Sequence, residues 1–211
     1  MARGKFITFE GGEGCGKTTQ LARLASRLES EGIEVVSVRE PGGTALCERI
    51  RHLLKDYRED APCDKSELLL FLAARAQLVK EVIEPSLNSG KWVLSDRFSD
   101  STIAYQGYGR NLDMDFLLSA NDFATGGLKS DLTLFFDVEA HVARSRRRLR
   151  EKATSTGADR IEQAGDAFHL RLAEGFRKIA AGDPQRVKTV DANGSLDEVW
   201  EQVWKLVQPI R

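Results

Sequence analysis

Short runs of apolar residues alternate with segments of helical periodicity along the chain. Residues 5–10 (KFITFE) are aromatic and β-branched and end in glycines, which predicts a strand and a tight turn. Leucines then recur at helical spacing, and the same order of strand and helix returns further on. We predict further strands at 33–38, 92–94, 132–138 and 187–190, and further helices at 46–54, at 68–83, closing before Pro85, and around Trp200 and Trp204.

The predicted strands carry apolar residues at successive positions, without alternation of apolar and polar ones. Strands of this kind are buried on both faces, as in parallel sheets covered by helices. We therefore predict the α/β class, with a parallel sheet of about five strands flanked by helices on both faces, in one domain over residues 1–211. Residues 151–159 (EKATSTGAD) are poor in apolar side chains and are predicted to form a loop.

The composition mainly excludes certain classes of partner and location. The 211 residues include 31 Lys and Arg against 32 Asp and Glu, a net charge of −1, which argues against a broad nucleic-acid surface. The longest apolar run, 68–74, is too short to cross a bilayer, and the N-terminus lacks a signal-peptide pattern, so we expect a cytoplasmic protein with no membrane or nucleic-acid partner. Cys15, Cys47 and Cys63 cannot all pair and are interpreted as reduced thiols.

A glycine-rich sequence follows the first strand. Residues 11–18 read GGEGCGKT and match G-x-x-x-x-G-K-[ST] between a predicted strand and a predicted helix, which disfavours a chance glycine turn. In such a loop backbone N–H groups converge on phosphate, Lys17 adds a charge and Thr18 a hydroxyl ligand for Mg²⁺. The residues predicted to bind ATP are Gly11, Gly12, Glu13, Gly14, Cys15, Gly16, Lys17, Thr18 and Thr19.

Two large classes of phosphate-loop protein lack support in this sequence. It contains no N-K-x-D stretch of the GTPase kind and no L-S-G-G-Q signature of a transporter ATPase. Its length also leaves little room for the extra modules of most helicases and motor ATPases. A small phosphotransferase is therefore favoured by exclusion.

A second set of candidate residues follows the next strand. Residues 39–44 (REPGGT) lie at its carboxyl end, where open parallel sheets hold ligands, although a turn with a solvated arginine is the alternative. Phe71 and Arg75 are four apart and share a helix face. The ring can stack on a base, and the guanidinium, which only donates, favours a carbonyl edge over an amino group. For this pair alone, core packing with a surface charge is the commoner arrangement.

Several motifs in a fixed order then suggest a family. FEGGEGCGKTT, REPGGT, LFLAARAQ, DRFSDSTIAYQG and DRIEQ follow one another between Phe6 and Gln163, and the tail reads VDANGSLDEV. Together they resemble thymidylate kinases of the bacterial type, which are nucleoside monophosphate kinases with the P-loop NTPase fold. The resemblance implies that ATP phosphorylates deoxythymidine monophosphate (dTMP) to the diphosphate, with Mg²⁺ as cofactor, in a homodimer.

The resemblance also implies the acceptor site. Phe71 would stack on thymine, Arg75 would meet its O4, Tyr105 would crowd the sugar 2′ position and Glu13 would accept from the 3′-hydroxyl. Thr102 and Gln106 would line the base edge, and the acceptor phosphate would lie among Arg39, Arg51 and Arg97. Asp96, through water, would share Mg²⁺ with Thr18. Singly, each of these residues has an ordinary structural role as an alternative.

Five arginines crowd residues 144–150 (RSRRRLR). Because such charges repel one another, an anion should meet them; a solvated basic helix and a nucleic-acid contact are the alternatives. The resemblance identifies residues 144 to about 160 as a lid that supplies catalytic arginines, which fits Gly14, where the other type of the family carries arginine. The implied catalytic residues are Lys17, Arg97, Arg146, Arg148 and Arg150, with Arg160 in DRIEQ and an adenine pocket near Asn193.

The chemistry needs mainly geometry and charge. The acceptor phosphate has a second pKa of about 6, so it is already a nucleophile at neutral pH and no general base is required. The transferring group must be neutralised by Lys17, Mg²⁺ and lid arginines. Three alternatives stay open at this point: another pyrimidine acceptor, deoxyuridine monophosphate above all; a nucleotide-binding protein without catalysis; and a nucleic-acid-dependent ATPase.

Overall fold

Five parallel strands form one sheet in the computed structural model, which describes residues 2–55, 62–154 and 165–211 and, for 150–154, the backbone alone. The spatial order is β2-β3-β1-β4-β5. The three central strands are almost wholly buried and the two edge strands are partly exposed, which confirms the predicted sheet. The strands are β1 (Phe6–Glu10), β2 (Val35–Arg39), β3 (Trp92–Asp96), β4 (Leu132–Asp137) and β5 (Val187–Asp191).

Helices cover both faces of this sheet. The α-helices are α1 (Lys17–Ser30), α2 (Ala45–Lys55), α3 (Asp64–Leu78), α4 (Glu84–Asn88), α5 (Ser99–Thr102), α6 (Met114–Thr125), α7 (Ala140–Thr154), α8 (Asp166–Gly182) and α9 (Leu196–Val207). Helices α1 and α9 pack on one face of the sheet, and α2 and α3 pack on the other. Apolar side chains from each helix close the core against the central strands, so the predicted layering is confirmed. Among the described residues, no helix combines the length and apolar character needed to cross a bilayer.

Two predicted boundaries are wrong. The long third helix does not close before Pro85 but continues through a π-helical stretch, Val79–Ile83, into α4. Proline is tolerated there because the change of register makes it one of the first residues of a new α-helix, where no N–H is needed. Residues 151–154, predicted as loop, extend α7; Glu, Lys and Ala favour helix even where apolar residues are few. Residues 155–159 lie outside the described part.

Candidate active site

The loops after β2, β3 and β1 lie side by side at the carboxyl edge of the sheet. The parallel register aligns Phe9 with Asp96 and Arg39 with the same Asp96. The glycine-rich loop, the 39–44 turn and the segment after β3 therefore meet in space although the chain separates them widely. Open α/β sheets bind ligands at this edge.

The glycine-rich loop wraps around the amine of Lys17. Its Nζ is buried and donates to the carbonyl oxygens of Gly11 at 3.0 Å and Gly12 at 2.8 Å. Gly14 and Gly16 have φ of 77° and 93°, and a Cβ at Gly14 would lie 2.6 Å from the carbonyl oxygen of Ala143, so a side chain is excluded there. The loop ends at the N-terminus of α1, which is the arrangement that binds a polyphosphate.

Two side-chain oxygens of the kind that binds Mg²⁺ lie together beside this loop. Thr18 Oγ1 donates to Asp96 Oδ2 at 2.6 Å, and both Thr18 and Thr19 are exposed in the first turn of α1. Within the described residues no group of three or more His, Cys, Asp or Glu side chains could hold a metal ion. Mg²⁺ does not need one, because it retains waters and combines one or two protein oxygens with substrate phosphates. Thr18 and Asp96 therefore fit the predicted magnesium site.

Arg97 connects the glycine-rich loop to the predicted sugar site. It adopts a left-handed backbone conformation, φ 76°, which is strained for a residue with a Cβ and is typical of functional sites. Its guanidinium donates to the carbonyl oxygen of Gly11 at 2.9 Å and pairs with Glu13. On its other side the guanidinium lies 4.9 Å from the centre of the buried Tyr105 ring. Three predicted site residues thus form one contact group.

Glu10 was missed by sequence reasoning. This wholly buried carboxyl ends β1 and accepts from the backbone N–H groups of Phe98 at 2.7 Å and Ser101 at 3.3 Å, and from the Ser101 hydroxyl at 2.6 Å. The Ser101 hydroxyl also accepts from Arg97 Nη1 at 3.3 Å. Burial, reinforced by the charge of Asp100, raises the pKa of Glu10 to about 8. The sequence signal that could have identified Glu10 is an acidic residue at the end of an apolar strand.

Glu10 predicts how stability depends on pH. Its ordinary pKa is 4.5 and its native pKa is about 8, so between these values the native state binds more protons than the unfolded state. The free energy of unfolding therefore decreases as pH rises through that window. We expect the melting temperature of Glu10→Gln to fall less steeply between about pH 6 and pH 8.5 than that of the parent chain. Glu48→Gln is the control, because Glu48 is only partly buried and its pKa is lowered, chiefly by the hydrogen bond from the Gly43 backbone N–H. Parallel curves for the parent and Glu10→Gln would contradict the assignment.

The guanidinium of Arg75 is buried and fully hydrogen-bonded within the protein. It is 1% exposed, and its five N–H groups meet the Glu40 carboxylate, the Thr102 hydroxyl at 2.7 Å, the Asn121 side-chain oxygen and the carbonyl oxygen of Phe98 at 3.0 Å. The structure thus brings together the predicted Arg75 and Thr102. A base carbonyl could contact Arg75 only by sharing or replacing one of these partners, so that role stays a prediction.

Phe71 lies between two polar clusters. It is half-buried on α3, at a spacing of four residues from both Arg75 and Glu67, so all three share a helix face. At the Glu67 end, the Gln106 side chain donates to the Glu67 carboxylate at 2.8 Å, and Arg110 donates to it at 3.1 Å. Glu67 and Arg110 were not identified from the sequence, although the spacing of Glu67, Phe71 and Arg75 was a usable signal.

The remaining predicted phosphate ligands surround the turn after β2. Arg39 is exposed and its Nη2 lies 3.3 Å from the Glu48 carboxylate, which also accepts from the backbone N–H of Gly43 at 3.0 Å. Arg51 donates to the carbonyl oxygen of Pro41 at 2.8 Å. Arg39 and Arg51 therefore approach the same turn, whereas Arg97 contacts the glycine-rich loop.

Helix α7 carries the arginine segment across the glycine-rich loop. Arg147 of this segment lies against the loop, since its Cγ would be 3.1 Å from a Cβ on Gly14. Arg146 donates to the carbonyl oxygens of Ala192 at 2.7 Å and Gly194 at 2.9 Å in the loop after β5, whereas Arg148 is exposed. The Arg150 side chain and Arg160 lie outside the described residues. Asn193 accepts from the backbone N–H of Glu139 at 2.9 Å.

Comparisons with known proteins agree with this geometry. The family model described as thymidylate kinase matches residues 9–203. The chain is 47% identical over 207 residues to a thymidylate kinase of Trichormus variabilis, covering 98% of this chain and 96% of the relative, and 50% identical over 208 residues to one from a Nostoc species, covering 98% and 95%. The chain belongs to the thymidylate kinase family. A crystal structure of the thymidylate kinase from Ehrlichia chaffeensis aligns with a TM-score of 0.78 at 34% identity, over 98% of this chain and 100% of that one.

Family membership confirms three predictions made from the motifs. The fold is that of the P-loop NTPases, the chain is an enzyme, and it is a kinase that uses ATP. The three cysteines are free thiols, as predicted, with Cys15 buried inside the glycine-rich loop.

Proposed function

We propose that the chain transfers the γ-phosphoryl group of ATP to the phosphate of dTMP, giving deoxythymidine diphosphate and ADP. The reaction is the one that defines its family, ATP-dependent phosphorylation of dTMP. The observation that carries the proposal is the position of Arg97, whose guanidinium contacts Gly11 and Glu13 on one side and Tyr105 on the other. A phosphate held by this guanidinium would lie between the donor loop and the sugar site.

The donor half of the site binds the polyphosphate of ATP. Backbone N–H groups of the loop and the N-terminus of α1 face the phosphates, and the Lys17 amine exchanges its carbonyl partners for phosphate oxygens. Mg²⁺, when bound by Thr18 and Asp96 together with the nucleotide, neutralises phosphate charge. We propose that residues 1–211 form one kinase domain, which the match over residues 9–203 supports.

The acceptor half orients a nucleophile that needs no activation. A phosphate monoester with a second pKa of about 6 is largely dianionic at neutral pH, so the residues have only to place its oxygen in line with the γ-phosphorus. Arg97, with Arg39 and Arg51 from the neighbouring turn, is assigned to that phosphate. Phe71 is assigned to the base and Tyr105 to the sugar, where a 2′-hydroxyl would meet the buried ring.

A panel of nucleoside monophosphates tests the reaction. ADP release from ATP and Mg²⁺ would be measured with dTMP, deoxyuridine, deoxycytidine, uridine and cytidine monophosphates as acceptors. We expect dTMP to give the highest kcat/KM, followed by deoxyuridine monophosphate, since only a methyl group separates the two. ADP release that does not depend on any acceptor would contradict the proposed kinase. A preference for a ribonucleotide would show another acceptor.

Removal of a lid arginine is expected to lower turnover. Arg148→Ala is expected to lower kcat by about 10³-fold with a small change in KM for ATP, because an arginine at the transferring phosphoryl group stabilises charge that is largest in the transition state. Arg144→Ala is the matched control on the same helix, where Arg144 pairs with Asp166. If Arg148→Ala kept the parent kcat while Arg147→Ala lost it, the lid role would pass to Arg147, which packs on Gly14.

We also propose a homodimer that uses the exposed face of α2, α3 and α6. These helices pack side by side and expose large apolar side chains: Leu46, Leu53, Leu69, Phe116, Leu118 and Phe123. Phe116 and Phe123 are seven residues apart on α6, and Leu46 and Leu53 have the same spacing on α2, so each pair forms a stripe along its helix. Phe123 is 91% exposed in the single chain.

A charged substitution in the apolar stripe of α6 tests the proposed dimer. Phe123→Glu is expected to convert the dimer to a monomer in analytical ultracentrifugation, because a carboxylate would be buried without a partner. Leu170→Glu, on the exposed side of α8, is the control and should leave the mass unchanged. Equal mass for both variants and the parent would contradict this interface. A cytoplasmic location is likewise proposed, and the free thiols support it.

A further inference from the structure

We infer that Glu67 is a positioning residue that fixes the orientation of the Gln106 side-chain amide and thereby selects the pyrimidine base. The inference rests on the proposed function, in which Gln106 lies at the base edge. Glu67 is on α3 and is 1% exposed; Gln106, in the π-helical stretch after α5, is 2% exposed. Two buried polar side chains in contact hold each other in a defined geometry.

The Glu67 carboxylate dictates which end of the amide faces it. Its Oε1 accepts from Gln106 Nε2 at 2.8 Å, and its Oε2 accepts from Arg110 Nη2 at 3.1 Å in an ion pair. A carboxylate offers only acceptors, so the amide must turn its NH₂ group toward Glu67. Reversing the amide would set two oxygen atoms against each other. The Gln106 oxygen therefore points away from Glu67, and within the described part of the chain it accepts no hydrogen bond.

Gln106 is held against the face of α3 that carries Phe71. Thr102 and Gln106 are four residues apart in one helical segment, and each contacts α3, Thr102 at Arg75 and Gln106 at Glu67. Phe71 lies midway between Arg75 and Glu67 on that helix. A base stacked on the Phe71 ring would thus have the Arg75 and Thr102 side chains toward one end of its edge and the Gln106 acceptor toward the other.

An acceptor at this place distinguishes the pyrimidines. Thymine and uracil carry an N3–H donor between two carbonyl groups, whereas N3 of neutral cytosine is an acceptor beside an amino group. The Gln106 oxygen can accept from the first kind of base but repels the lone pair of the second. A freely rotating amide would serve both by reversing. By preventing that reversal, Glu67 turns Gln106 into an element of specificity, acting against cytosine as well as for thymine.

The decisive variant is Glu67→Gln. A glutamine at position 67 can donate or accept, so the Gln106 amide is free to reverse. We expect the ratio of kcat/KM for dTMP to that for deoxycytidine monophosphate to fall about 10- to 100-fold, with the KM for dTMP rising and the KM for ATP unchanged. Asp64→Asn is the matched control, because Asp64 pairs with the same Arg110 at 3.4 Å without contacting Gln106, and its ratio should equal that of the parent.

A double variant that exchanges the side chains at positions 67 and 106 tests whether the acceptor preference can be restored. In the double variant Glu67→Gln with Gln106→Glu, the new amide donates to the new carboxylate, whose second oxygen still offers an acceptor to the base. We expect the ratio to return to within about fivefold of the parent value. Recovery cannot follow from a merely structural role of Glu67, which would lower activity with both acceptors alike. Should Glu67→Gln fail to fold, the exchanged pair alone decides, since a lost ratio there would overturn the inference.

The two proposals fail in different ways. A parent enzyme that releases no ADP in response to dTMP would overturn the proposed function. A parent enzyme active on dTMP, together with a folded and active Glu67→Gln variant whose ratio is unchanged, would overturn only the role of Glu67.

Discussion

Replacing Lys17 with methionine is expected to lower kcat for dTMP phosphorylation by about 10³-fold or more. Methionine keeps most of the volume of the lysine stem but removes the charge that the glycine-rich loop surrounds. Negative charge on the transferring phosphoryl group must be neutralised in the transition state, and a buried ammonium at fixed position does this far better than water. Steady-state ADP release at saturating ATP and dTMP measures the effect.

The control for this variant is Lys91→Met. Lys91 precedes β3 at the opposite edge of the sheet and pairs with Glu34 on the surface. Its loss should leave kcat unchanged, since surface ion pairs contribute little and the site is distant. A Lys17→Met enzyme that retained more than about a tenth of the parent kcat would show that the loop lysine does not stabilise the transferring group.

Replacing Arg75 with methionine is expected to lower the free energy of unfolding by about 3–5 kcal/mol. The Arg75 and Glu40 side chains are 1% and 4% exposed and lie 2.6 Å apart, so the variant leaves a carboxylate buried without a partner. Burial already raises the pKa of Glu40, and the charge of Arg75 is what opposes that rise. Denaturation by urea, extrapolated linearly to water, measures the loss.

Two further variants distinguish the stability lost with the buried Arg75–Glu40 pair from the stability lost on removing any paired arginine. Arg39→Met removes an exposed ion pair with Glu48, in which both side chains contact solvent, and should cost about 1 kcal/mol or less. Adding Glu40→Gln to Arg75→Met should recover part of the stability, because the unpaired charge is then gone. If Arg75→Met were as stable as Arg39→Met, the buried pair would contribute little to the fold.

The sheet and the donor loop could be predicted from the sequence because their signals are local. Successive apolar residues define β1, β3 and β4, and a glycine-rich loop between strand and helix has a fixed spacing. The end of the third helix could not be predicted, since Pro85 is a reliable stop signal only where the α-helical register is kept. That register changes in a π-helical stretch with no clear sequence signature.

The same distinction between local sequence signals and long-range contacts applies to the residues of the candidate site. Motif residues such as Lys17 and Arg97 were found, but the buried Glu10 beneath the segment after β3 was not, because its partners, Phe98 and Ser101, come from a distant part of the chain. Arginine is ordinarily a surface residue, so sequence alone could not show that Arg75 is enclosed by acceptors. Only the packed structure shows that every N–H group of Arg75 donates a hydrogen bond to a neighbouring residue.

The contacts of Arg97 have a thermodynamic consequence. One guanidinium is bound to Gly11 and Glu13 in the donor loop and is also assigned to the acceptor phosphate. With that assignment, we expect occupancy of either half to alter the partners available to the other, so that the two ligands bind with coupled affinities. Linkage requires that whatever factor dTMP imposes on the dissociation constant of ATP, ATP imposes the same factor on that of dTMP.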